Sequence, residues 1–135
     1  MPGKEESMPK FLLLVNYDGG LPETPMPSWG PTDIKAHLAY YDALNQELTA
    51  SGELVERHIL GPPEAAKVVR SDGRGALLVT DGPFAETKEV LAGYEMVDVQ
   101  SLERAIEIAG RLSAVPGPGG APTQQPIEVR QVVDG

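Results

Sequence analysis

The chain has 135 residues, 41% apolar and 23% charged, with a formal net charge of −9. That fits one globular domain with its own core, and the acidity with scattered basic residues argues against a nucleic-acid partner. The absence of cysteine removes disulfides and thiolate chemistry, and two histidines leave any metal site leaning on carboxylates, so neither metal nor cofactor is expected.

Residues 1–9 read as a disordered leader without the apolar stretch of a secretory signal. The longest apolar run, Phe11 to Val15, is too short to cross a bilayer, so a cytoplasmic protein with no membrane partner is the default expectation. Residues 10–135 are expected to form the single domain. Lys10 to Tyr17, KFLLLVNY, is apolar enough for a central strand. Gly19 to Pro31 follows, seven of its thirteen residues Pro or Gly, which excludes helix and ladder. Thr32 or Asp33 is the expected cap of a first helix whose inner face is Ile34, Leu38, Tyr41, Leu44 and Leu48. Ser51-Gly52 stops it.

Glu53 to Leu60 reads as a second strand. AKVVRS and GALLVT read as strands three and four of a hairpin turning at Ser71 to Arg74. Val90 to Val99 is strand five, and Ser101 caps a second helix with Leu102, Ala105, Ile106, Ala109 and Leu112 on one face. AVPGPGGAPTQQP is a second loop, again seven Pro or Gly in thirteen, before a last strand, IEVRQVV. The order β-α-β, hairpin, β-α-β implies an α+β fold of the ferredoxin-like plan, with an inserted hairpin and helices on one sheet face. The uncovered face is expected to meet a second copy, giving a homodimer.

Asp81-Gly82-Pro83 suits a tight turn, with Phe84 folded back as its anchor. Glu86 and Lys88 are then either solvated charges or, with Asp81, the rim of a pocket in which Lys88 clamps an anionic group. His37 sits at the edge of the first helix's apolar face, where a histidine reaches a cleft between helix and sheet and is poised for proton transfer. His58 and Arg57 point to opposite faces of the second strand; each needs a partner if buried, with Glu56 and Glu95 as candidates. Tyr17 and Asp18 end the first strand beside the first loop. Trp29 in that loop is either a lid over a pocket or a plug against a partner subunit, with glycine hinges nearby. No phosphate-binding glycine loop and no nucleophile elbow is present.

The stretch VTDGPFAETKEVLAGYEMVDVQSLERAIEIA resembles the DGPF-motif branch of the YCII-related domain family. KFLLLVNY, IKAHLAYYDALNQELTASGELV and IEVRQVV sit where that family has its equivalents. The resemblance implies a ferredoxin-like fold and a dimer related to the dimeric α/β barrels. Some YCII-like relatives are small lyases, one a dehydrochlorinase of a chlorinated hydroquinone, with a His-Asp pair proposed as active site. Some members are encoded beside extracytoplasmic-function sigma factors. His37 matches the family's histidine. The family's aspartate follows the second helix, where this chain reads RLSAVPGPGGAP and has no acid. The pair does not carry over whole, and Asp81 or Asp18 is the conjectured substitute.

The leading expectation is a small dimeric protein that binds an organic molecule between helix one and the sheet. Its chemistry would be cofactor-independent acid–base catalysis of the lyase or isomerase type. His37 and Asp81 would be catalytic; Tyr17, Asp18, Trp29, His58, Glu86 and Lys88 would contact substrate. The alternatives are a non-catalytic regulatory interaction module associated with sigma-factor signalling and a cofactor-free oxygenase of the dimeric barrel type.

Overall fold

The computed structural model describes residues 9–17, 28–61, 65–82 and 90–133. Their order is β1 (Lys10–Tyr17), α1 (Pro31–Ala50), β2 (Leu54–Ile59), β3 (Lys67–Ser71), β4 (Leu77–Asp81), β5 (Val90–Asp98), α2 (Leu102–Ser113) and β6 (Ile127–Gln131). Four strands form one antiparallel sheet in the order β2-β5-β1-β6. β1 and β2 are therefore parallel with β5 between them, and β5 and β6 are parallel with β1 between them. Two β-α-β units interlock this way in the ferredoxin-like plan, with which this α+β fold is compatible.

Alternation along the strands sets the layers. Phe11, Leu13, Val97 and Val99 are buried and meet Leu44 and Leu48 of α1 and Ala105, Ile108 and Leu112 of α2. Each buried Val, Leu, Ile or Phe among them contributes about 1.5–3 kcal/mol. Leu12, Leu14, Tyr94 and Met96 alternate with them on the opposite face and are half-buried.

Both helices turn a slightly different face inward from the one the spacing predicts. On α1 Leu38 is 49% exposed, whereas Tyr41, Leu44 and Leu48 pack into the core and the half-buried His37 meets Tyr41 edge-on. Residues 37, 41, 44 and 48 fit a helical stripe as well as 34, 38, 41, 44 and 48 do. Gly30, rather than Thr32 or Asp33, is the N-cap, and Pro31 takes the first helical position, where a missing N–H is harmless. On α2 the Ser101 hydroxyl accepts from Arg104 N as expected, but Leu102 and Ile106 are exposed and Ile108 is buried.

β3 and β4 form a separate two-stranded ribbon between β2 and β5. Asp72 Oδ1 accepts from Arg74 N and Ala76 N and so ties the tip. Val69, Leu77, Leu78 and Val79 all stand exposed on this ribbon.

β2 carries a bulge between Leu54 and Glu56. The extra residue, Val55, lets Leu54 face inward opposite Val97 while Arg57 also faces inward opposite Glu95. Gly93 of β5 passes so close to β2 that a Cβ there would lie 2.7 Å from the His58 carbonyl oxygen.

Candidate functional site

The first three turns of α1 place His37 and Tyr41 four residues apart, on one side of the helix. The His37 ring meets Trp29 edge-on at 5.2 Å and Tyr41 edge-on at 5.0 Å between centroids. Trp29 is 7% exposed and packs toward Gly117. It is a buried wall of this cluster within the same chain, rather than an open lid.

The second Pro/Gly-rich loop is an ordered part of the site. Pro116 bridges to Pro122, a 3-10 turn spans Pro118–Gly120, and Val115 and Thr123 are buried. Gly119 N donates to Asp33 Oδ2 at 3.1 Å, which ties the loop to the start of α1. His37 Nδ1 lies 2.8 Å from the Pro116 carbonyl oxygen. A carbonyl only accepts, so the bond requires the proton on Nδ1 and leaves the lone pair of the neutral ring on Nε2.

The sheet supplies the polar floor. Glu95 faces α1 from β5 and is 4% exposed. Arg57 Nε stands 3.5 Å from its Oε2, while Oε1 is buried without a hydrogen-bond partner. Burial pushes the Glu95 carboxyl above its ordinary value, and Arg57 only partly offsets this. Tyr41 is pushed up to about 12, first by burial and then by the Glu95 charge, so it remains an O–H donor. Trp29, the half-buried imidazole of His37 and the phenol of Tyr41 thus form one aromatic cluster, and Tyr41 feels the charge of the buried Glu95. An imidazole, a phenol and a carboxyl are groups that can exchange protons.

The structure brings together His37 and Trp29 of the expected site. Asp81 lies at the end of β4, its carboxylate 2.6 Å from Lys67 Nζ, and both side chains are exposed. The described contacts of His37 include the Pro116 carbonyl and no acid. His58 is on the opposite sheet face, 3.8 Å from Glu56 and tilted against Tyr94, whose hydroxyl donates to Glu56. Tyr17 ends β1 opposite Val90. Its side chain, Asp18, Phe84, Glu86 and Lys88 lie outside the described residues. Glu95 and Tyr41 were not singled out as site residues. The available signal was an acid at an inward strand position and a tyrosine four residues after His37.

An open groove of 730 Å³ lies at the other end of α1, lined by Glu53, Asp98, Ser101 and Arg104 among others. It is roughly 20 Å from His37 at 1.5 Å per helical residue. Arg104 is already held there by Glu53 at 2.8 and 2.9 Å and by Glu107 at 3.1 Å. Among the described residues, no three His, Cys, Asp or Glu side chains converge as metal ligands.

The model of the YCII-related domain matches residues 31–122, which run from α1 through the Pro116 loop. An uncharacterised protein of Rhizobium meliloti (strain 1021) is 34% identical over 86 residues, covering 64% of this chain and 68% of that protein. The helix that positions His37, the strand that carries Glu95 and the loop that holds the imidazole all fall within the matched segment, and the chain belongs to the YCII-related domain family.

Proposed function

We propose that the chain binds a small organic molecule beneath the first half of α1 and transfers a proton on it, with His37 Nε2 as the acceptor. The observation that carries this reading is the 2.8 Å contact between His37 Nδ1 and the Pro116 carbonyl. It fixes one tautomer and aims a basic nitrogen away from the loop that holds it. The sequence offers no phosphate-binding glycine loop and no thiol, which favours isomerase- or lyase-type acid–base chemistry that needs no cofactor. Long-range ¹⁵N NMR of His37 tests the tautomer directly: a proton on Nε2 refutes the role. His37→Ala is expected to keep the fold and abolish any turnover, and retained turnover rejects the assignment.

In this reading the protein is a homodimer, paired through the sheet face opposite the helices, where Leu12, Leu14, Tyr94 and Met96 are half-buried. A monomer mass by light scattering at micromolar concentration sinks that part. A second reading, a non-catalytic interaction module, is favoured by the β3–β4 ribbon, where exposed Val69, Leu77 and Val79 share one face that a protein could cover.

A further inference from the structure

The proton-transfer reading leaves Glu95 unused. Its position is an expensive one for a carboxylate. Leu13 opposite it on β1 and Val97 two residues along are fully buried aliphatics, and an aliphatic or Met side chain at 95 would extend that surface. Instead Oε1 is buried with no hydrogen-bond partner, which native structures rarely tolerate without a reason. The charged group that faces it is Arg57, 3.5 Å away on Oε2, and the titratable neighbour from α1 is Tyr41. The carboxylate and guanidinium together are close to neutral. An anion would meet the charge of Glu95, a cation that of Arg57, and the lone pairs left on Oε1 ask for an N–H or O–H donor.

We propose that Glu95 Oε1 is the acceptor that anchors an uncharged N–H- or O–H-bearing ligand beneath α1, with Arg57 holding Oε2. The assignment rests on the reading above that a small organic molecule enters there. Arg57 is 39% exposed, and in this proposal its rotation would open the way to the carboxylate. Tyr41, kept protonated by its surroundings, offers a donor to an acceptor atom on the same molecule.

The test uses four probes with one ring in common: benzamide and benzyl alcohol as uncharged donors, benzoate and benzylammonium as charged counterparts. The readouts are the ¹³C resonance of the Glu95 carboxyl in the full-length chain and the affinity by titration. The uncharged probes are expected to move the Glu95 resonance and to bind roughly tenfold more tightly than the charged ones. Glu95→Met, which removes the acceptor at similar volume, is expected to weaken them by about tenfold, the loss of one charge-assisted hydrogen bond. A Glu95 resonance unmoved by both uncharged probes overturns the proposal. Equal binding to Glu95→Met also overturns it, and so does a preference for benzoate, which would mark Arg57 as an anion site instead. A thermal melt of Glu95→Met confirms the fold. Failure of the His37 role shows separately, as the Nε2–H tautomer or as turnover surviving in His37→Ala, with the binding result unchanged.

Discussion

Replacing Glu95 by Met should make the protein more stable. The side chain is 5% exposed and its Oε1 has no partner, and an unsatisfied buried acceptor costs about 1–3 kcal/mol. The ion pair given up is with a half-exposed Arg57 at 3.5 Å, worth at most about 1 kcal/mol. The balance is a gain of about 1–2 kcal/mol at neutral pH, which for a chain this size raises the thermal midpoint by about 3–6 °C. The gain must depend on pH with a definite sign. Burial holds the Glu95 carboxyl above its ordinary value of 4.5, so the folded state binds this proton more tightly than the unfolded state does. The wild type therefore loses stability as the pH rises from the unfolded value through the folded one. The advantage of Met should be full above that window and shrink below it. Calorimetric melts of both proteins from acid to neutral pH measure the difference. An unchanged midpoint at neutral pH, or a gain of equal size in acid, refutes the assignment of Oε1 as an uncompensated buried oxygen.

Gly93→Ala should destabilise by about 1–3 kcal/mol, because its Cβ would lie 2.7 Å from the His58 carbonyl oxygen and force β2 away from β5; urea denaturation measures it. Arg104→Ala should cost about 1 kcal/mol through the lost bidentate contact to Glu53 at 2.8 and 2.9 Å. That contact holds the Glu53 carboxyl below its usual range, so the loss should be full above the ordinary carboxylate range and vanish as the pH falls through the folded value. A variant whose acid limb matches the wild type's contradicts this. Polar replacement of Leu77 and Val79 on the β3–β4 ribbon should leave the four-stranded sheet folded and weaken any partner that covers the ribbon. An unchanged solution mass together with unchanged binding partners argues against the interaction reading.

Strand and helix positions were legible to within two or three residues because period-2 and period-3.6 patterns are local. What differed was the orientation of the helix faces. His37 and Leu38 both complete a helical stripe with Tyr41, Leu44 and Leu48, and only the contacts with Trp29 and the Pro116 loop select His37. Glu56 and Glu95 were legible as candidate partners for whichever of Arg57 and His58 was buried, but not which acid meets which: Glu95 meets the inward Arg57 and Glu56 the exposed His58. The bulge at Val55 that gives them those faces leaves no mark in composition. The acid sought for His37 was looked for among side chains, whereas the partner found is a backbone carbonyl, which every residue has and no sequence pattern marks. The role of the second Pro/Gly-rich loop was hidden for the same reason: its ordering comes from contacts with α1, 79 residues away in the Pro116–His37 case.

The interleaving of β1 between β5 and β6, and of β5 between β2 and β1, has a consequence for assembly. Neither half of the chain contains an adjacent strand pair of the main sheet: β1 and β2 touch only β5 and β6, and the reverse. All the pairing of that sheet is therefore deferred until residues from both halves meet, so its formation is governed by long loop closures rather than by local zippering. Cutting the chain in the β3–β4 turn would yield two fragments with complementary vacant slots. They should stay unstructured separately and fold on mixing, bringing His37 from one piece to Pro116 of the other.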